Sequence, residues 1–272
     1  MNRLFTFGCS FTKYHWPTWA DILGCEFDEH YNYGLAGAGN LYITTSIAEA
    51  IARYNITSTD TVMVMWSNVT REDRYLHNGW NPQGNIFNQT LYSKDFIDKF
   101  VTVRGCYVRD LPFILLTKKT LDGIGCKYEF MSIVDIDTPD QYTADKNDNI
   151  SDLLKLYQEP LLKIKPSVHK ILFNYDYGSR PFLYKNDRPD YHPFPLEHLE
   201  YINKVLPEYK IGNDTLVLVN SIDKICRQHF ENVYNRNNNA KFFNYWDDKA
   251  VRMIGQESSP IFSKAKNIEI RL

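Results

Sequence analysis

Leu4-Phe5-Thr6-Phe7-Gly8-Cys9-Ser10-Phe11-Thr12 is an apolar run that stops abruptly at a small-residue turn carrying hydroxyls. The run predicts a β-strand over residues 3–7, and the turn puts Ser10 outside any regular element. Two roles are open to that serine. It can cap a following helix, since Ser, Thr, Asp and Asn are favoured there. It can also be an exposed nucleophile, which needs a base. The late segment Asp190-Tyr191-His192-Pro193 offers an imidazole beside a carboxylate. With a mid-chain asparagine, these residues have the makings of an activated serine.

Working outward from that strand, helix and strand patterns alternate. A helix is predicted from Pro17, a residue suited to the first helical position, through Trp19, Ile22 and Leu23. A second strand falls within residues 26–33. Leu41, Ile43, Ile47, Ala50 and Ile51 recur at helical spacing and predict a helix over 40–54. Thr61-Val62-Met63-Val64-Met65-Trp66 has the near-continuous apolar pattern of a strand buried on both faces. Residues 70–93 are rich in Asn, Gly and Arg and predict a long loop, a feature more often functional than idle. A helical stretch follows over 94–121, with Gly105 and Pro112 as interruptions. Further on come a strand over 126–133, a polar loop over 135–150 and a helix over 151–164. Residues 168–173 fit a strand or a short helix equally. Pro195 introduces a helix ending near 206, and another spans 216–234. The alternation predicts an α/β fold with three α/β/α layers, a central parallel sheet of about five strands and a C-terminal helical extension. Ligands of such folds bind at the carboxyl ends of the strands.

Composition narrows the function classes. A formal net charge of −2 over 272 residues lacks the basic excess that nucleic-acid binding needs. No apolar run approaches the roughly 18 to 20 residues of a membrane span. The N-terminal segment lacks a signal peptide's longer apolar stretch and cleavage site, so the expected location is cytoplasmic. The five cysteines, at 9, 25, 106, 126 and 226, form no Cys-x-x-Cys pair. Neither a disulfide framework nor a zinc knuckle is indicated. Cys9 adjoins Ser10 and is read as a small buried residue at the strand end. Aromatics reach 15%, enough either to thicken a core or to line a groove.

Three more clusters fall at predicted strand ends. Asn32-Tyr33-Gly34-Leu35-Ala36-Gly37-Ala38-Gly39-Asn40 lets backbone approach a ligand closely, and its amides at a helix start suit an oxyanion. A tight turn with no ligand fits as well. The glycines do not match either nucleotide-binding spacing. Trp66-Ser67-Asn68-Val69 ends the third strand, and Asn68 serves as an Asx-turn or as a hydrogen-bond donor into the same cleft. Asp190-Tyr191-His192-Pro193-Phe194-Pro195-Leu196-Glu197-His198 is stiffened by its prolines. Asp190 can fix the imidazole tautomer. A metal site is the alternative for this cluster, but no other His/Cys/Asp/Glu set shows ligand spacing. His198, on the following helix, is expected to pack or bond locally.

Together these blocks resemble the SGNH (GDSL-like) hydrolase superfamily. Gly8-Cys9-Ser10-Phe11 matches its first block, with Cys9 where Asp is usual. Gly37 falls at the second-block glycine, Asn68 at the third-block asparagine, and Asp190-Tyr191-His192-Pro193 at the fifth block. The wording is similar to that of members common in bacteriophage genomes and some bacteria. Two departures stand out: Trp66-Ser67-Asn68-Val69 replaces the usual Gly-x-Asn-Asp, and Asp190 stands two residues before His192, where three is commoner. The blocks span residues 4–206 and imply a catalytic domain over 1–210; residues 211–272 lie outside the resemblance and are expected to pack on it as an extension. It implies a serine ester hydrolase in which Ser10 attacks, His192 takes the proton and Asp190 orients His192. The amides of Ser10 and Gly37 and the Asn68 side chain would form the oxyanion hole. It requires no metal or organic cofactor. The implied substrate is a small-molecule or glycan ester, and nearby aromatics (Tyr14, Trp16, Trp66, Tyr191, with Tyr33 and Trp80) are the expected substrate-binding surface or, equally, core. An acyltransferase using the same serine, and a non-catalytic phage structural or binding protein on this scaffold, are the alternatives. In a phage the location would be the host cytoplasm or the virion.

Overall fold

A computed structural model describes residues 2–77, 79–138, 149–174, 183–185, 188–190, 192–236 and 265–267. Strand β1 (Arg3–Gly8) leads into helix α1 (Trp19–Gly24), strand β2 (Glu29–Gly34), helix α2 (Asn40–Tyr54) and strand β3 (Thr61–Trp66). A β-hairpin, β4 (Arg71–Leu76) and β5 (Gly79–Asn85), comes next. Helices α3 (Lys94–Phe100) and α4 (Val103–Ile124) and strand β6 (Lys127–Ser132) follow. Two short helices, α5 (Ser151–Leu156) and α6 (Gln158–Leu161), precede a π-helical turn at His169–Phe173. Strands β7 (Leu183–Lys185) and β8 (Arg188–Asp190), helices α7 (Pro195–Val205) and α8 (Asn213–Arg236), and strand β9 (Ala265–Asn267) complete the described chain.

The sheet order is β6-β3-β1-β2-β9, and every pairing in it is parallel. The chain steps from β1 to β2 in one direction, then crosses back past β1 to reach β3. Right-handed crossovers therefore put α1 on one face and α2 and α4 on the other. Consistent with this, α2 packs on α4, and α1 packs on α7. The reversal makes the carboxyl end of β1 the topological switch point, where doubly wound sheets open a crevice. Ser10 follows directly.

The layers account for the sequence pattern. Phe5 stacks on Tyr31 (centroids 4.7 Å) and Phe7 on Tyr33 (5.0 Å), with Tyr54 closing on both Phe5 and Tyr31. Much of the aromatic content is thus sheet packing. On the other face Thr6 bonds His30 Nε2 at 2.9 Å, and His30 lies hard against Gly24 of α1. Complete burial depresses the His30 pKa to about 3. An unfolded histidine titrates near 6.5, so the unfolded chain takes up this proton first as pH falls. Stability from this site is full above about pH 6.5 and is lost progressively down to about pH 3. Each unit of displacement is worth about 1.4 kcal/mol. Urea melts at pH 7, 5.5 and 4.5 should show that loss, and His30→Phe should flatten it.

Several predicted elements need correction. The 70–93 stretch is not a loop: residues 71–85 form an antiparallel hairpin with a bulge between Glu72 and Asp73. Its polar composition had masked an element that lies over α2, where Trp80 meets Tyr42 edge-on. Helix α1 starts after Thr18, not at Pro17, because Thr18 and Asp21 form a reciprocal capping box. The long helix divides at Val101 and Thr102, where Thr102 caps α4 through Gly105. Pro112 lies inside α4 without ending it. The 151–164 helix is two short ones, and of the two readings open for 168–173 the short helix is the one found, as a π-helical turn over His169–Phe173. By contrast, α2 and β3 coincide with their predicted spans. Residues 139–148 of the predicted polar loop lie outside the described residues. So do 237–264 and 268–272 of the extension. Its described helix α8 packs on α7 and closes a second apolar cluster of Trp16, Phe194, Leu218, Ile222 and Cys226. Among the described residues no helix is long and apolar enough to cross a membrane.

Candidate active site

Ser10 sits on a tight turn that begins as β1 ends. The Thr12 and Lys13 amides both donate to the Cys9 carbonyl, at 2.9 and 3.1 Å. Thr12 folds back so closely over Gly8 that a Cβ there would stand 2.0 Å from Thr12 Oγ1. Only glycine fits under this turn. Cys9 is buried, its Sγ accepting the Phe11 amide at 3.4 Å. All five cysteines are unbridged.

The far end of the chain meets this turn. His192 Nε2 lies 2.7 Å from Ser10 Oγ, across 182 residues of sequence. The loop carrying His192 is held from both sides of that residue. Before it, Asp190 ends β8, its backbone paired with Leu183. After it, Trp16 Nε1 donates to the Pro193 carbonyl at 2.8 Å, and the Phe194 amide donates to Glu197 Oε2 at 2.6 Å. Tyr14 lies flat on the imidazole, with centroids 3.8 Å apart and planes 13° apart. Phe11 covers it at 4.8 Å and 38°. Tyr191 and the side chain of Asp190 lie outside the described residues.

Gly37 and Asn68 follow the two strands that flank β1. The register places Gly8 beside Gly34 and Phe7 beside Val64, so the turns after β1, β2 and β3 share one sheet edge. The Leu35 amide donates to the Gly8 carbonyl at 3.1 Å, tying the second turn to the first. Gly37 has φ +82°, a left-handed conformation that favours glycine. Asn68 accepts from the Thr70 amide and hydroxyl, both at 3.0 Å. This Asx-turn pins the carbonyl end of its side chain and so fixes the direction of the NH2 end.

Two of the expected substrate-binding aromatics are corrected by burial. Trp66 is fully buried on β3, edge-on to Phe130, and is core. Trp16 is 3% exposed, stacks on Phe194 and anchors the His192 loop. Tyr14 is partly exposed, but one of its ring faces is taken by His192. His198, as expected, is buried on α7.

A buried polar framework behind the site escaped sequence reading. Asn40, the first residue of α2, accepts the Ser67 amide at 2.8 Å and donates to the Ser67 carbonyl at 3.1 Å and to Asp110 Oδ2 at 2.8 Å. Arg109 pairs with Asp110 (2.5 Å) and Glu72 (2.8 Å) and donates to the Val69 and Arg71 carbonyls, each at 2.8 Å. Residue 68 is thus clamped on both sides of its backbone. Asp73 of the hairpin takes the Gly39 and Tyr42 amides at 2.7 and 2.9 Å. It thereby caps α2, whose own N-cap glycine has no side chain to offer. Burial raises the Asp73 pKa against those two bonds. The available signal was the charged Arg109-Asp110 pair set among the apolar positions Cys106, Tyr107, Leu111 and Ile114 of α4. A further histidine, His169, stands at the end of β6, its amide bonded to Ile133. Burial and Arg71 depress its pKa to about 4, which keeps it neutral near pH 7. Among the described residues no group of three or more His, Cys, Asp or Glu is placed to hold a metal ion.

No family model and no curated protein matches the chain. Among solved structures, the chain is similar to a member of the lipolytic protein G-D-S-L family from Veillonella parvula DSM 2008. Identity is 15%, with 76% of this chain and 97% of that one covered and a TM-score of 0.43. The functional reading therefore rests on the site itself.

Proposed function

We propose that the protein is a serine ester hydrolase acting on a small-molecule or glycan ester. The observation that carries this reading is the 2.7 Å contact between Ser10 Oγ and His192 Nε2 at the sheet's switch point. A nucleophile within hydrogen-bond reach of its base is the geometric requirement of acyl transfer. The block resemblance supports the same assignment, including Asp190 as the residue that holds the imidazole with Nε2 facing the serine.

In the proposed cycle Ser10 Oγ bonds to the ester carbonyl carbon as its proton passes to His192 Nε2. The carbonyl pair moves onto oxygen, facing the amides of Ser10 and Gly37 and the Asn68 NH2. Collapse breaks the bond to the alcohol, which leaves with the proton from His192. Water then repeats the sequence and frees the acid. Donors held in place beforehand are effective because they need not reorganise as charge develops. Asn68→Ala should therefore lower kcat by about 100-fold or more with little change in KM. Steady-state kinetics on p-nitrophenyl acetate would check this.

The deciding experiment is labelling with a fluorophosphonate. The unsubstituted protein should label stoichiometrically and Ser10→Ala not at all. Equal labelling of the two, or none of either, would sink the proposal. Release of acetate from acetylated oligosaccharides, with and without an acceptor sugar, then separates hydrolysis from acyl transfer.

A further inference from the structure

The nucleophile's turn does more than carry Ser10. Among the described residues, the rings of Phe11 and Tyr14, one and four residues on, pack against His192. Tyr14 makes the closer and flatter contact. It is held there by Trp16, whose ring meets it at 4.8 Å and 78°. Trp16 in turn is fixed by its bond to the Pro193 carbonyl and by stacking on Phe194. Base, ring and support form one continuous column. His15 meets the same tyrosine near edge-on at 4.7 Å.

We propose that Tyr14 is a positioning residue whose ring face stabilises the positive charge His192 gains on taking the Ser10 proton. This rests on the reading of Ser10 as nucleophile. Against a neutral imidazole the face-to-face contact supplies dispersion. Against an imidazolium it adds attraction between a cation and the negative face of the ring. The charge exists only once the proton has moved, so the added attraction favours the transition state over the ground state. An interaction of that kind raises the rate constant of the chemical step and leaves substrate binding alone. The column thus gives the base a stabiliser besides the Asp190 of the proposed triad.

The test alters the ring's electrons and keeps its shape. Tyr14→Phe and Tyr14→pentafluorophenylalanine, with the monofluoro and trifluoro rings between them, form a graded series. The readout is phosphonylation of Ser10 by a fluorophosphonate, in which the Oγ–P bond forms, fluoride leaves and the Ser10 proton passes to His192. Tyr14→Phe sets the reference rate of the series. Each added fluorine should slow the step, to a total of about 2- to 30-fold at five fluorines. The reversible binding constant of the probe and the melting temperature should stay level. Equal rates across the series would overturn the role and leave Tyr14 as a wall of the site. Absence of Ser10-dependent labelling in the unsubstituted protein would overturn the hydrolase reading, and this role with it.

Discussion

Replacing His192 by alanine is expected to slow acylation of Ser10 by about 10²- to 10⁴-fold, the usual range for a lost general base. The serine hydroxyl is a weak nucleophile near neutral pH, and His192 Nε2 is 2.7 Å from it. The fold should survive. His192 is partly exposed, and the Trp16 to Pro193 and Phe194 to Glu197 bonds that hold its loop involve none of its atoms. A matched melting temperature with a collapsed labelling rate is the expected pattern. Free imidazole should restore part of the rate by entering the space between Tyr14 and Phe11. An unchanged rate would remove His192 from the chemistry.

The largest stability effect is expected at Arg109. Its guanidinium neutralises Asp110, which is completely buried, and satisfies the carbonyls of Val69 and Arg71. Arg109→Met keeps the bulk but strands a carboxylate in the interior. Breaking a buried pair in this way typically costs about 3 to 5 kcal/mol. Adding Asp110→Asn removes the stranded charge, so the double variant should be destabilised by less than the two single effects combined. A double-mutant cycle by urea denaturation measures the difference. Additive effects would show that the two residues act separately. Because the same guanidinium holds the Val69 and Arg71 carbonyls that follow Asn68, kcat should also fall in Arg109→Met.

What the sequence discloses and what it hides divide along physical lines. Strand β3 and helix α2 were legible because each has one dominant environment. Every side chain of β3 is buried, and one stripe of α2 faces the sheet. The Ser10 turn and the His192 loop were legible because small residues and prolines mark where regular structure stops. The hairpin at 71–85 was not, since its strands are short, polar and bulged and carry no alternating pattern. The framework of Asn40, Asp73, Arg109 and Asp110 was hidden for a different reason. Its bonds join residues up to 70 positions apart, and no local periodicity encodes such a pairing. Trp66 and Trp16 misled because an aromatic residue beside a motif looks the same in sequence whether it faces a ligand or the interior. Burial and neighbours separate the two cases, and both are properties of the folded chain.

The wide separation of alcohol and imidazole along the chain has a consequence for biosynthesis. A ribosome delivers the serine turn almost at once, yet His192, the proposed base, emerges only after most of the polypeptide has been made. Abortive or clipped products ending anywhere in between hold an unactivated hydroxyl. On the proposed mechanism, reactivity arrives only once the His192 segment has been made and has folded back onto the Ser10 turn, and shorter fragments are chemically quiet.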